Sequence, residues 1–175
     1  MSAPDSDLIT RVLVANDHHA FAELVRRHQS AVRGLLRKLT NGDFAMADDF
    51  AQETFLRAFQ NMGSFRGASQ FSTWLYRIAY NVFRDSNRRI KETVGIDEAQ
   101  AAQIPAPVET DAGLKQDLEA AMSRLTAPER ESILLCYQSG MSHEEASETM
   151  RIPVGTVKTH ILRGKEKLRA FLNRS

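Results

Sequence analysis

A single cysteine, Cys136, stands in a chain of 175 residues, so an internal disulfide is excluded and a reducing, cytoplasmic setting is expected. Long apolar runs are lacking. The longest stretches, such as Ile133-Leu134-Leu135-Cys136, fall far short of the roughly 20 residues needed to cross a bilayer. The opening Met1-Ser2-Ala3-Pro4-Asp5 has no basic segment followed by an apolar one, which excludes a secretory signal. Strict apolar/polar alternation is also absent, so half-buried strands are not expected. Catalytic signatures are equally scarce. No glycine-rich phosphate loop follows a strand, and His143-Glu144 lacks the second histidine of a metalloprotease helix. His28 falls on an apolar stripe and reads as a satisfied core histidine. The sequence therefore supports no enzyme, metal site, cofactor or small-molecule substrate.

What is present is the makeup of a globular protein, 42% hydrophobic and 26% charged, with a length that allows one domain or two small ones. The net charge of +1 conceals a strong asymmetry. Residues 1–90 carry 12 Lys+Arg against 9 Asp+Glu, residues 91–147 carry 4 against 11, and residues 148–175 carry 7 against 2. An acidic middle, net −7, separates basic ends of +3 and +5. Two polyanion-facing surfaces would produce this pattern; on charge alone, so would a solvated helix face at each end.

Apolar residues recur at helical spacing almost throughout, which predicts an all-α fold. A first short helix carries Leu8, Ile9, Val12 and Leu13. A second has the stripe Phe21, Leu24, Val25, His28, Val32, Leu35, Leu36 and Leu39, and stops at Asn41-Gly42. A third, from about Phe44 to Met62, would bury Phe50, Ala51, Phe55, Ala58 and Phe59 while Asp48, Asp49, Gln52, Glu53, Arg57 and Gln60 face outward. After the glycine-bracketed loop Gly63-Ser64-Phe65-Arg66-Gly67, a fourth helix over about Gln70 to Arg89 would bury Phe71, Trp74, Leu75, Ile78, Ala79 and Val82. Its other face mixes rings with guanidinium groups: Tyr76, Arg77, Tyr80, Asn81, Arg84 and Arg88.

From 91 to 112 the periodicity dissolves among alanines, acids and Pro105-Ala106-Pro107, predicting a flexible linker with a weak helix around Asp97 to Gln103. Fully extended at about 3.3 Å per residue it would reach about 73 Å. The domains are thus 1–90, a linker over 91–112, and 113–175.

The last third is sharply punctuated. Leu114, Leu118, Ala121, Met122 and Leu125 form one stripe. Thr126-Ala127-Pro128-Glu129 and Ser142-His143-Glu144-Glu145 are capping boxes, and Arg151-Ile152-Pro153 turns the chain into a final basic helix, Val154 to Leu172. Helix, tight turn, basic helix is a helix-turn-helix arrangement. In the last helix Val157, Ile161, Leu162, Leu168 and Phe171 can face the core, leaving Thr156, Lys158, Thr159, Arg163, Lys165 and Lys167 outside. Such a face offers hydrogen-bonding groups to base edges and cations to phosphates.

The stretch from Gly140-Met141-Ser142-His143-Glu144-Glu145 to Ile152-Pro153-Val154-Gly155-Thr156-Val157-Lys158 resembles region four of bacterial sigma factors. It is also similar to the helix-turn-helix of response regulators and by itself does not choose between them. The N-terminal half does. Asp48 to Phe59, then Phe65-Arg66-Gly67, then Phe71 to Asn81 resemble region two of the extracytoplasmic-function (ECF) group of the sigma-70 family, in the same order and with a variable linker in the same place.

That resemblance implies core RNA polymerase and promoter DNA as partners, with an anti-sigma factor, often membrane-anchored in this group, as a third. It implies polymerase docking through Asp49, Gln52, Glu53 and Arg57. It assigns Phe65, Arg66 and Gly67, with Tyr76, Arg77, Tyr80, Asn81, Arg84 and Arg88, to opening the minus-ten element and holding its non-template strand. Thr156, Lys158, Thr159, His160, Arg163, Lys165 and Lys167 would meet the minus-thirty-five element. Three departures stand out: His160 replaces an arginine, Gly164 interrupts the last helix, and Ala146-Ser147 replaces an Ile-Ala pair. The competing readings are a two-component-type regulator, disfavoured because residues 1–90 show no strand-helix alternation, and a helical adaptor that does not touch DNA.

Overall fold

The computed structural model describes residues 3–94 and 113–173, and every described element is helical. Four helices form the N-terminal unit: α1 (Asp5–Ala15), α2 (His18–Leu39), α3 (Phe44–Gln60) and α4 (Phe71–Val94). Their ends follow from local chemistry. Asp17 caps α2 by accepting from the backbone of His19 and Ala20, and Asp43 caps α3 through Met46. α3 ends at Gln60 and not at Met62, because Met62–Ser64 tightens into a 3₁₀ turn leading into the loop. Val32, Leu35, Leu36, Leu75, Ala47, Ala58 and Ala79 are sealed from solvent where α2, α3 and α4 meet.

α4 is longer than the sequence suggests. It runs through Val94, so residues 91–94 belong to the helix and not to the linker. Residues 95–112, with the expected helix at Asp97 to Gln103, lie outside the described residues. An 18-residue connection reaches about 59 Å at most, less than two turns of duplex.

The C-terminal unit comprises α5 (Gly113–Met122), α6 (Ala127–Ile133), α7 (His143–Met150) and α8 (Val154–Leu172). α6 continues into a single π-turn over Leu134–Gln138, closed by Ser139 N–H donating to the Leu134 carbonyl at 3.0 Å. Both capping boxes form: Thr126 N–H donates to Glu129 at 3.0 Å, and Ser142 N–H donates to Glu145 at 2.9 Å. Between α7 and α8, Arg151 adopts the left-handed conformation at φ 58°, and Ser147 Oγ donates to the Ile152 carbonyl at 2.6 Å. Ser147, one of the departures, therefore braces the turn of the helix-turn-helix, while its neighbour Ala146 is fully buried.

Gly164 has an equally local explanation. It is buried where α8 crosses α6, and a Cβ built there would lie 2.6 Å from Ile133 Cδ1. The lost helix propensity admits a close approach of two helices. Three side chains expected in the core are exposed: Leu13, Leu118 and Leu162, the last at 59%. Leu13 and Leu162 sit on the flanks of their stripes.

The two units do not stand apart. α7 packs on α4, the π-turn packs on α2, and the buried apolar residues form one continuous cluster from Leu8 to Ile161.

Candidate functional surfaces

Three surfaces carry the residues singled out above. The first is the outer side of α3. Asp49 and Gln52 are exposed, and the buried stripe Phe50, Ala51, Thr54, Phe55 and Ala58 fixes their direction. Thr54 pays no polar penalty there, since its Oγ1 donates to the Phe50 carbonyl at 2.6 Å. Glu53 and Arg57 are tied together, Arg57 Nε donating at 2.7 Å, and Arg57 also reaches Asp85 on α4 at 3.2 Å. Arg57 is therefore a strut between helices as much as a contact residue. Asp48 does not face freely outward, because Arg33 and Arg37 of α2 lie 3.3 and 3.8 Å from it. Sequence reasoning missed Leu56, 53% exposed between the polar positions, and Phe44, 61% exposed beneath the Arg37 guanidinium. Both fall outside the buried period, which is the signal that could have found them.

The second surface is α4 with the loop before it. Arg66 and Gly67 are exposed, the latter at φ +71° where a side chain would be strained. Phe65 is half-buried. Its ring packs against Phe71 and Trp74, both at 5.4 Å between centroids. Trp74, expected in the core, is only half-buried and completes this aromatic group. Asn81, Trp74 and Ile78 line a shallow cleft with Arg57 and Asn61. Tyr76 is half-buried, which pushes its hydroxyl above the ordinary range, and Arg88 is exposed beside Glu92.

Tyr80 overturns the expectation of an exposed ring: it is 3% exposed and its hydroxyl donates to Glu131 at 2.7 Å. Burial, with the Glu131 carboxylate beside it, pushes that hydroxyl far up, so it remains a donor. Arg84 donates to the Met150 carbonyl at 2.8 Å, and Arg77 lies 3.3 Å from Glu148. These residues are brought together as expected, but against the C-terminal unit, with Tyr80 buried, Arg77 half-buried and Arg84 exposed.

The third surface is α8. Lys158, Thr159 and Arg163 are exposed, and Thr156 and His160 are half-buried on the side that carries Thr159 and Arg163. Thr159 Oγ1 donates to the Gly155 carbonyl at 2.9 Å, which leaves its acceptor capacity outward. The two later lysines have other occupations. Lys165 lies over the Tyr137 ring at 4.3 Å, and Lys167 donates to Glu129 at 2.8 and 3.0 Å.

Burial pushes the Glu129 carboxyl upward, but Lys167 and the Thr126 N–H outweigh it and hold the group below its usual range. A depressed folded-state value means the stabilisation is complete above the unfolded value near 4.5 and is lost as pH falls through the folded one. Thermal melts across the acid range should accordingly show a shallower decline for Glu129→Gln than for the native chain. Equal slopes would assign the acid sensitivity elsewhere.

Known proteins match this arrangement along most of the chain. The sigma-70 region 2 model matches residues 24–93, and the sigma-70 region 4 model matches residues 115–168. The chain is 34% identical over 170 residues to the ECF RNA polymerase sigma factor SigW of Bacillus subtilis, covering 89% of this chain and 90% of that protein. Against the ECF RNA polymerase sigma-E factor of Haemophilus influenzae it is 33% identical over 179 residues, covering 94% and 93%. Among solved structures, the sigma factor RpoE in complex with the anti-sigma factor NepR from Bartonella quintana matches at a TM-score of 0.71 and 26% identity, covering 87% of this chain and 96% of that one. CnrH, in complex with the cytosolic domain of CnrY, matches at 0.65 and 25%, covering 98% of both. With regions 2 and 4 in order on the helices that carry the three surfaces, this chain belongs to the ECF group of the sigma-70 family.

Proposed function

We propose that this chain is an alternative sigma factor that docks on core RNA polymerase through α3, holds the melted minus-ten strand along α4, and reads the minus-thirty-five duplex with α8. The observation that carries it is the union of regions 2 and 4 in one chain, with an exposed basic face on the second helix of the helix-turn-helix. Catalysis belongs to the polymerase. An anti-sigma factor is the expected regulator, since the RpoE relative above is a sigma factor held by one. Reconstitution tests the whole: purified chain should co-elute with core polymerase and start transcripts at discrete positions on genomic fragments. A chain that neither retains core nor changes the start sites refutes it.

Within α8 the roles divide by geometry. Lys158 and Arg163 are five residues apart, about 140° around the helix, and cannot both point down one groove. Arg163 shares its face with Thr156 and Thr159, while Lys158 suits a phosphate on the flank. Lys158→Ala should weaken binding on every sequence and lower the salt slope by about one unit. Arg163→Ala should relax preference at one base pair by roughly 1–3 kcal/mol. Affinities across a base-substitution panel separate the two. Uniform loss for both variants would reduce Arg163 to a backbone contact.

A further inference from the structure

The minus-ten loop is fastened at both ends and open between them. At its start, Phe65 N–H donates to the Met62 carbonyl at 3.1 Å, and the buried Met62 sits in the 3₁₀ turn on which α1 packs. At its end stands Phe71, the first residue of α4, whose ring lies 5.4 Å from Phe65, 5.6 Å from Trp74 and, edge-on, 5.3 Å from His28. Between these points Arg66 and Gly67 are exposed and, with Ile9 and Leu13 of α1, line an open cleft of about 730 Å³. With open space on that side, the placement of Arg66 and Gly67 follows from the two ends.

His28 is set from the other side. Its Nε2 is 2.6 Å from Asp5 Oδ2, and the second oxygen of that carboxylate accepts from Arg27 Nη1 at 2.9 Å. Burial pushes the Asp5 carboxyl upward, but the hydrogen bonds from His28 and Arg27 outweigh it and hold the group below its usual range. The first residue of α1 is thus a carboxylate that fixes the direction of one ring nitrogen. Close-packed ring contacts at these distances carry that setting to Phe71 and on to Phe65.

We propose that Asp5 and His28 are positioning residues for the minus-ten loop, and that the N-terminal turn of α1 thereby determines which bases the loop accepts. The inference rests on the reading of that loop as a minus-ten contact. Neither side chain lies on the loop or on the outer face of α4, so the pair supplies no charge or stacking area to the strand. Its effect is on discrimination, which demands groups held within about 0.5 Å. α1 itself is held independently of the pair, since Leu8, Ile9 and Val12 are buried along its inner side.

The test reconstitutes the full chain with core polymerase and selects open complexes from a pool made by randomising the minus-ten positions of one promoter the chain uses, with sequencing of the retained strands. Asp5→Asn and His28→Gln should each flatten preference at one or two minus-ten positions by about tenfold, the weight of a single base contact. Core affinity and minus-thirty-five preference should stay as in the native chain. Combined, the two changes should do no more than either alone, because both act through the same ring. Asp5→Glu, which keeps a carboxylate within reach of His28, should retain the native preference. A role in stability alone gives another pattern: an earlier urea midpoint, weaker core binding and a loss spread over all positions, which would overturn the proposal. Native preferences in Asp5→Asn and His28→Gln, where Arg66→Ala flattens them, would overturn it too and leave the loop a minus-ten contact. If Arg66→Ala also keeps every preference intact, the reading of the loop falls and the proposal with it.

Discussion

A Gly164→Val chain should lose about 2–3 kcal/mol of stability in its C-terminal unit, read as an earlier urea midpoint with an unchanged slope. The expectation follows from the crossing of α6 and α8. A Cβ at position 164 would stand 2.6 Å from Ile133 Cδ1 and 3.6 Å from Glu129 Cβ, and valine adds two further methyl groups to that space. Alanine separates the contributions. Its gain in helix propensity, roughly 1 kcal/mol over glycine, opposes the clash, whose nearest atom is the end of an isoleucine side chain. Gly164→Ala should therefore change stability by less than about 1 kcal/mol. Ile133→Val removes that terminal methyl at an ordinary cost of about 0.5–1.5 kcal/mol, and combined with Gly164→Ala it should cost less than the sum of the single changes. Simple additivity would mean the helices separate to relieve the contact.

The second large effect concerns polymerase. Asp49→Lys with Gln52→Ala and Leu56→Ala should weaken core binding about thirtyfold, or about 2 kcal/mol, with helical content unchanged because all three side chains are exposed. Leu56 is the apolar centre of that patch at 53% exposure, and a buried anchor ringed by polar contacts is how binding energy concentrates at protein interfaces. Arg57 is left alone, since its pairs with Glu53 and Asp85 hold α3 to α4. Undiminished affinity in the triple variant would move the docking surface off α3.

Periodicity and caps were enough to place the helices and the turn before α8, because each depends on residues within about four positions of one another. The polar outer face of α3 and the open positions of α8 were legible for the same reason. What could not be read were contacts made over long separations. Nothing local in Tyr80 announces Glu131, 51 residues on, and an alternating Tyr/Arg face looks the same whether it meets solvent, a strand or another helix. Gly164 looked like a flaw until Ile133 was beside it, and Ser147 looked merely polar until the Ile152 carbonyl was within reach. Lys167 read as a free cation and is a partner of the buried Glu129.

The π-turn at Leu134–Gln138 carries a consequence in the currency of insertions and deletions. Its i→i+5 closure accommodates one residue more than a regular α-helix would need. Without that residue the helix would continue in ordinary register, and the side chains that follow would be turned by about 100°. Gln138, which now comes within 3.8 Å of where a Cβ on Gly34 would sit, would no longer face α2. A single codon thus separates a chain whose two units fit against each other along α2 from one whose C-terminal unit folds but presents a different edge.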